Sequence, residues 1–220
     1  METKQASVLV TGASGFIGEA LCRVLLLNGC CVRGMRCNSR RTNQDLSDNV
    51  NFQWINGNIN DAETCNLATE NSDFVYHLAG LAHANGHSRE TLWTVNIDGT
   101  ETLLNAARRQ KVKKIVYVSS SMATSYDKPL DKGSDQQQSD YGESKFLSEM
   151  LLKNQSGPNP IDFSIARPVN VYGPRMKGNI LGLVKMVKMP WFPRLPRTEN
   201  QISLIGVNDL ITALILLANS

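Results

Sequence analysis

Three glycines spaced three residues apart near the start of the chain constrain its fold more than any other feature. Gly12, Gly15 and Gly18 follow an apolar run at 7–10 and open a segment, 15–27, whose apolar residues fall on one helical stripe. A strand, a glycine turn and a helix in this order let a diphosphate approach backbone N–H groups at the positive end of the helix. The turn therefore predicts a dinucleotide site, and the alternative is a tight turn that binds nothing.

Apolar runs of strand length alternate with helical patterns along most of the 220 residues. The predicted strands are 7–10, 30–35, 51–55, 74–78, 114–119 and 162–166, and the predicted helices are 15–27, 92–109, 141–153 and 209–219. This alternation indicates a Rossmann-type α/β fold with a doubly wound parallel sheet. Two stretches interrupt it: a polar segment at 121–140, predicted as a surface loop, and a segment at 186–197 whose three prolines argue against a regular helix. The alternation weakens near Pro168, where we place a domain boundary between 1–167 and 168–220.

The composition is that of an ordinary globular domain, with 41% hydrophobic residues, 20% charged residues and a net charge of +3. This mildly basic balance permits an anionic small ligand, and we predict no nucleic-acid partner. No run of 18 apolar residues occurs, so we predict no membrane contact. The chain also starts without the hydrophobic segment of a signal peptide, which favours a cytoplasmic location. The cysteines and histidines lack the spacing of metal ligands, so no metal is predicted.

The end of the second predicted strand bears on the choice of dinucleotide. An acidic residue at this place accepts hydrogen bonds from the adenosine ribose, but here the strand ends in Arg36. Arg36, together with Arg40 or Arg41, could instead pair with a 2′-phosphate, because guanidinium groups bind phosphate with two parallel hydrogen bonds. The residues therefore leave NAD and NADP open as cofactors, and the alternative for this segment is a solvated basic loop.

Tyr141 and Lys145 stand four residues apart, which puts both on one face of a predicted helix. A phenol has a pKa of about 10, too high for a base at neutral pH, but a nearby ammonium and the charge of a nicotinamide would favour the phenolate. Such a pair also occurs by chance. Here it follows a strand that ends in Ser119, Ser120 and Ser121, whose hydroxyl groups could bond the same substrate oxygen. This arrangement predicts an acid–base pair with a serine partner.

Eight motifs occur along the chain in a fixed order: TGASGFIG at 11–18, GNIND at 57–61, HLAG at 77–80, VNIDGT at 95–100, VSSS at 118–121, YGESK at 141–145, RPVNVYGP at 167–174 and LIGVNDL at 204–210. In these residues the chain resembles the extended short-chain dehydrogenase/reductases of the NAD-dependent epimerase/dehydratase family, which act on nucleotide sugars. Chains of this family are longer than this one, so the resemblance implies that 168–220 is a partial, truncated C-terminal substrate-binding region.

The resemblance implies a role for individual residues. Ser121, Tyr141 and Lys145 would be catalytic, with Ser120 as the other candidate for the hydroxyl, and Asn96 would support the active site. The substrate would be contacted by Ser121, Asn170 and His83, with His87 as another candidate from the same loop. The residues implied to contact the cofactor are Gly12, Gly15, Phe16, Ile17, Gly18, Asn58, Ile59, Ala79, Gly80, Leu81, Ser119, Tyr141, Lys145 and Pro168.

The chain departs from the family pattern at three places. Asn58 stands where an aspartate is usual, the serine-rich segment 119–127 is less regular, and residues 201–203 lack the arginine that often precedes the following strand. The first departure affects the adenine contact, and the third affects one contact with a substrate phosphate.

The resemblance implies an NAD(P)-dependent nucleotide-sugar epimerase that oxidises and re-reduces C4 through a 4-keto intermediate. It also implies a homodimer that pairs the helices 92–109 and 141–153. One alternative is an NADPH-dependent 4-keto reductase, which Arg36 favours. A dehydratase is disfavoured because Met122 and Ala123 stand where its acid–base pair would lie. A dinucleotide-sensing regulator without catalysis would be expected to lack the pair Tyr141 and Lys145.

Overall fold

The structure is a computed structural model and describes residues 5–37, 44–82, 87–127, 139–155, 159–176, 179–191 and 201–220. The strands are β1 Ser7–Thr11, β2 Cys31–Arg36, β3 Phe52–Asn56, β4 Phe74–His77, β5 Lys114–Val118, β6 Asp162–Ala166, β7 Asn170–Tyr172 and β8 Leu204–Gly206. The helices are α1 Phe16–Leu27, α2 Gln44–Ser47, α3 Ala62–Thr69, α4 Arg89–Trp93, α5 Gly99–Arg109, α6 Asp140–Lys153, α7 Asn179–Val187 and α8 Val207–Asn219. A π-helical turn, Thr94–Asp98, joins α4 to α5, and a 3₁₀ helix, Ser121–Tyr126, follows β5.

Six parallel strands form the main sheet in the order β3-β2-β1-β4-β5-β6, which confirms the predicted Rossmann-type fold. Because all six strands run in the same direction, their carboxyl ends meet at one edge of the sheet. The order of the chain reverses between β1 and β4, and the connections from these two strands leave towards opposite faces. A crevice opens at such a point, and ligands of open α/β sheets bind there.

Two cores lie on the two faces of the sheet. Successive residues of a strand point to opposite faces, so Val8 and Val10 pack on one side and Leu9 on the other. The first face is covered by α1 and α8, which meet through residues such as Leu21 and Leu214. The second face is covered by α3, α5 and α6. Helix α8 thus contributes to the same core as β1, and the boundary near residue 168 stays a prediction.

The structure differs from the sequence-based expectation in several elements. The predicted helix 92–109 begins earlier, at Arg89, and contains the π-helical turn. Residues 121–126 form a 3₁₀ helix where a loop is predicted, because the Ser120 side chain accepts a hydrogen bond from the Met122 amide and caps it. Helix α7 extends to Val187, into the segment predicted to be irregular, while 128–138 and 192–200 lie outside the described residues.

Helix α3 is absent from the sequence prediction because its residues are mostly polar and form no clear apolar stripe. Its capping residue was the available signal, since Asp61 accepts a hydrogen bond from the Thr64 amide at the start of the helix. In the described ranges no helix combines the length and the apolar character needed to cross a bilayer.

Candidate active site

The glycine turn after β1 is packed too closely for side chains. Gly12 has φ of +68°, and a Cβ on it would stand 2.9 Å from the Ala79 amide nitrogen, in the segment that follows β4. A Cβ on Gly18 would stand 2.3 Å from the Gly12 carbonyl oxygen, so α1 can approach the turn only because this residue is glycine. No side chain in the described part of the chain caps α1 at Gly15. The first N–H groups of α1 therefore face the crevice and suit a diphosphate.

A series of buried hydrogen bonds beneath this crevice connects the ends of β1 and β4 to the π-helical turn. The Thr11 hydroxyl accepts hydrogen bonds from the Leu78 and Ala79 amides and bonds His77 Nδ1 at 2.8 Å. His77 Nε2 bonds the Thr100 hydroxyl at 2.9 Å, and that hydroxyl donates to the carbonyl of Asn96. Burial lowers the pKa of His77 to about 3, so the imidazole is neutral and can accept at Nδ1 while donating at Nε2. His77 is thus a structural residue beneath the site.

Helix α6 brings Tyr141 and Lys145 to the carboxyl edge of the sheet. Its first turn is fixed by Ser139, whose hydroxyl accepts a hydrogen bond from the Gly142 amide. Tyr141 is mostly buried, and burial raises the pKa of its phenol, although a hydrogen bond with the Ser120 side chain acts in the opposite direction. In the chain alone, desolvation therefore dominates the pKa of Tyr141, and the lowering expected from Lys145 together with the charge of a nicotinamide stays a prediction.

The Ser120 side chain lies near enough to the Tyr141 phenol to lower its pKa, and no such effect of Ser121 is seen among the described residues. Ser121 follows directly and donates its backbone N–H to the Pro168 carbonyl at 3.0 Å, so this hydrogen bond ties the serine segment to the end of β6. The sequence left Ser120 and Ser121 as alternatives for the hydroxyl partner. The contact in the chain alone favours Ser120, and the assignment of Ser121 stays a prediction.

The Lys145 side chain reaches from helix α6 to the crevice beside the glycine turn. Its side chain is buried, and Nζ lies 3.9 Å from the position that a Cβ on Gly80 would occupy. Burial lowers the pKa of Lys145 to about 7, while the negative charge of Glu149 acts in the opposite direction. The ammonium is therefore close to its titration point at neutral pH.

Asn96 connects the segment after β4 to helix α6, which carries Tyr141 and Lys145. Its Oδ1 accepts a hydrogen bond from the Leu81 amide at 2.8 Å, and its Nδ2 donates to the Leu81 carbonyl and to the Ser144 hydroxyl. Asn96 lies in the π-helical turn, a local widening of the helix that is frequent at functional sites. The same segment carries Gly80 and Leu81, both predicted to contact the cofactor, so Asn96 is placed to support the site in the way the resemblance implies.

An ion cluster around the buried carboxylate of Glu149, absent from the sequence prediction, lies one helical turn beyond Lys145. Glu149 accepts hydrogen bonds from the Ser119 hydroxyl at 2.5 Å and from Arg167 at 2.8 and 2.6 Å, and Arg167 also pairs with Asp127. The cluster ties α6, the end of β5, the end of β6 and the 3₁₀ helix together. The available signal was the spacing of 141, 145 and 149 along one helix face. The Ser119 hydroxyl is engaged here, and a cofactor contact by Ser119 stays a prediction.

At the end of β2, Arg36 is held in a fixed position. Its Nε donates to Asn56 Oδ1 at 2.8 Å, its guanidinium lies 4.0 Å from the centroid of the Trp54 ring, and 7% of the residue is exposed. Stacking of this kind orients a guanidinium group while keeping its charge. The structure thus places a cation where the sequence predicts one, and Arg40 and Arg41 lie outside the described residues.

Two predicted adenine contacts lie near this end of the sheet. Asn58 is exposed, and its side-chain oxygen accepts a hydrogen bond from the Asn60 amide. Ile59 is buried against Gly99, where a Cβ would stand 2.6 Å from the isoleucine side chain. The Asn58 side chain is accessible to a ligand and that of Ile59 is part of the core, so a cofactor contact by Ile59 stays a prediction.

The predicted substrate residues are only partly described. Asn170 is exposed at the start of β7 and His87 is exposed before α4, whereas His83 lies outside the described residues. Among the described residues no group of three histidine, cysteine or acidic side chains could hold a metal ion.

Comparison with known proteins identifies relatives for most of the chain. The profile of the NAD dependent epimerase/dehydratase family matches residues 8–220. A 3β-hydroxysteroid dehydrogenase/Δ5→4-isomerase of Mycobacterium tuberculosis is 29% identical over 185 residues, which make up 79% of this chain and 49% of that protein. A UDP-glucose 4-epimerase of Mycolicibacterium smegmatis is 32% identical over 182 residues, or 76% of this chain and 56% of that protein. The chain spans about half the length of these curated relatives.

Among solved structures, the UDP-glucuronic acid 4-epimerase of Bacillus cereus in complex with UDP-glucuronic acid and NAD superposes with a TM-score of 0.76 at 27% identity. The superposition covers 97% of this chain and 73% of that chain.

Replacing Glu149 by glutamine should destabilise the protein in a pH-dependent way. Burial alone would raise the pKa of Glu149, but the hydrogen bonds from Arg167 and Ser119 outweigh it and leave this pKa below its ordinary value. The carboxylate therefore contributes stability above the pKa of an unfolded glutamate, about 4.3, and this contribution is lost as pH falls through the lower folded value. We expect Glu149→Gln to reduce the free energy of unfolding by about 2 kcal/mol at neutral pH, measured by urea denaturation.

The difference between wild type and Glu149→Gln should shrink as the pH is lowered towards about 3. Lys153→Gln is the matched control, because Lys153 contacts the same carboxylate at 3.4 Å with a side chain that is 42% exposed, and it should change stability by less than about 0.5 kcal/mol. A difference for Glu149→Gln that stays constant across the whole pH range would contradict the ionised cluster.

Proposed function

Because the chain belongs to the NAD-dependent epimerase/dehydratase family, we propose that it oxidises and re-reduces C4 of a nucleotide-diphosphate sugar with the help of a bound NAD. The observation that carries this proposal is the approach of Lys145 to Gly80. It brings the acid–base pair of α6 against the wall of the crevice whose other side is the glycine turn. Hydride transfer requires that a proton-transferring group and a dinucleotide lie side by side, and this geometry supports such an arrangement.

The residues fit the cofactor that the family uses. The glycine turn leaves room for a diphosphate that any side chain at Gly12 or Gly18 would remove, and the start of α1 offers uncapped N–H groups to it. When bound, NAD accepts a hydride from the substrate carbon and returns it. Gly80 and Leu81 line the opposite wall, where Asn96 holds the backbone of Leu81 in place.

The protein's own part in the reaction is proton transfer and orientation. Tyr141 would remove the proton of the C4 hydroxyl and return it, and Ser120 or Ser121 would hold the same oxygen by a hydrogen bond. The raised pKa keeps the phenol protonated in the chain alone, so removal of a substrate proton depends on the positive charge of the oxidised cofactor and on Lys145. Lys145 would also bond the nicotinamide ribose, as the resemblance implies.

The substrate class and the assembly are part of the same proposal. Two of the relatives are named as UDP-glucose and UDP-glucuronic acid 4-epimerases, which supports a nucleotide-diphosphate sugar as the substrate of this chain. Asn170, in the region 168–220, would contact that substrate.

We also propose a homodimer that pairs α5 and α6. This face carries a groove of about 430 Å³ whose apolar lining includes Trp93, Ile97, Leu147 and Met150. A cytoplasmic location stays a prediction from the sequence.

A second candidate function is an NADPH-dependent 4-keto reductase. The observation in its favour is Arg36, because a guanidinium stacked on Trp54 at the end of β2 suits a 2′-phosphate better than a ribose hydroxyl. A protonated Tyr141 is also the form that donates a proton to a ketone. The two candidates share the same acid–base pair and differ in the cofactor and in the direction of the reaction.

Tyr141→Phe should lower turnover by about 10²–10⁴-fold, because it removes the proton that the reaction transfers. The assay follows UDP-, dTDP- and GDP-sugars and a 3β-hydroxysteroid by NMR with NAD⁺ or NADPH, and the thermal midpoint and NAD⁺ binding should stay as in wild type. Tyr126→Phe is the matched control, since the Tyr126 hydroxyl bonds only the Ser139 backbone within the described residues, and it should retain turnover. Undiminished turnover in Tyr141→Phe would exclude this phenol as the acid–base group.

Arg36→Gln should separate the two candidate cofactors. If Arg36 binds a 2′-phosphate, calorimetric titration of wild type shows tighter binding of NADP⁺ than of NAD⁺, and the substitution weakens NADP⁺ by about tenfold while NAD⁺ is little changed. Arg33→Gln is the control, because Arg33 bonds the Leu67 and Glu70 carbonyls instead. Equal affinity of wild type for both dinucleotides would contradict the reductase candidate and leave the epimerase.

A further inference from the structure

The Lys145 side chain is mostly buried, and its ammonium makes no salt bridge with the residues that the structure describes. Only 4% of the residue is exposed, and no hydrogen bond of Nζ is seen within the same residues. A buried charge normally requires a partner of opposite charge. The group that Nζ does contact is the ring of Tyr117 on β5, whose centroid lies 4.2 Å away.

The other groups around Lys145 compensate its charge poorly. Glu149, on the same helix, is already bonded by Ser119 and Arg167, and the neutral imidazole of His77 on β4 supplies no negative charge. A phenol is protonated at neutral pH, and burial raises the pKa of Tyr141 further. The π-helical turn contributes the uncharged carboxamide of Asn96, which lies beside Gly80. The face of the Tyr117 ring therefore adds a favourable contact for the cation.

The Tyr117 hydroxyl does not explain why a tyrosine is buried here. The side chain is fully buried, and its hydroxyl lies near the Ser148 and Thr100 hydroxyls without a hydrogen bond of ordinary geometry among the described residues. The part of Tyr117 that lies against the Lys145 ammonium is the ring face and not the hydroxyl. The negative face of an aromatic ring attracts a cation without occupying any of its N–H donors.

We propose that Tyr117 is the positioning residue of Lys145: its ring face holds the ammonium at the crevice and leaves the N–H donors for a bound ligand. A carboxylate in the same place would accept those hydrogen bonds itself. The contact is a property of the folded chain, and its value for proton transfer rests on the proposed function. Because the ring favours the charged form, weakening its negative face should lower the pKa of Lys145 below its value of about 7.

The test measures the titration of Lys145 directly. The protein is labelled with ¹³C at the ε-carbon of lysine, the Lys145 signal is assigned by its loss in Lys145→Arg, and its pKa is followed by NMR without any ligand. Tyr117→Phe keeps the ring face and should leave the pKa within about 0.3 units of wild type. Site-specific incorporation of mono-, di- and trifluorophenylalanine at position 117 keeps the shape but withdraws charge from the face. It should lower the pKa stepwise, by about one unit, or tenfold in the protonation constant, at the end of the series.

A Lys145 titration that is the same across the fluorinated series would overturn the proposal, and so would a shift in Tyr117→Phe as large as in the trifluoro variant. The acid limb of the turnover profile, measured with the best sugar substrate, should move in parallel with the NMR titration. Absence of turnover in wild type with all substrates would count against the proposed function, while the stepwise NMR shift would still establish the ring contact.

Discussion

The Thr11 hydroxyl makes the contacts on which the rest of the site depends. It lies at the end of β1, accepts hydrogen bonds from the two backbone N–H groups that follow β4, and donates a hydrogen bond to Nδ1 of the neutral His77. The chain reverses its order between these two strands, so the ends of β1 and β4 have to be held at a fixed separation for the crevice to exist. The hydrogen bonds continue through Thr100 to the π-helical turn, which carries Asn96. One buried polar chain thus sets the position of both walls of the crevice.

Helix α6 carries two buried charged side chains, Lys145 and Glu149, which are stabilised in different ways. Glu149 is paired with Arg167 and belongs to a cluster that joins four elements, so its charge contributes to rigidity. Lys145 lacks such a pair in the described residues and lies over the Tyr117 ring instead. In the Glu149 cluster, the hydrogen-bond donors and acceptors are occupied by other groups of the protein. The contact between Lys145 and the Tyr117 ring leaves the N–H donors of the ammonium for a ligand, which is the property that a binding and catalytic lysine needs.

The sequence predicted the elements that depend on local pattern. The six strands of the sheet, the glycine turn and the pair on α6 follow from short apolar runs, spacing and the requirements of tight turns, and the structure confirms the fold. Residues whose role depends on neighbours distant in sequence were missed: Glu149 and Tyr117 acquire their meaning only when β5, β6 and α6 are packed together. Burial raises the pKa of Tyr141 in the chain alone, an effect that the spacing of two residues cannot show, and the lowering expected from Lys145 together with a nicotinamide charge stays a prediction. The site assignments implied by the resemblance stay predictions.

The most direct test of the central claim is a ¹H–¹⁵N NMR titration of the protein with NAD⁺. The account predicts saturable binding, with the largest shifts at the backbone amides of Gly15, Phe16, Ile17 and Gly18, since these residues form the end of the glycine turn and the start of α1. Amides of α7, which lies outside both cores, should move little. Saturation by NAD⁺ with unchanged amides in the glycine turn, or no binding at millimolar cofactor, would contradict the claim that this crevice binds a dinucleotide.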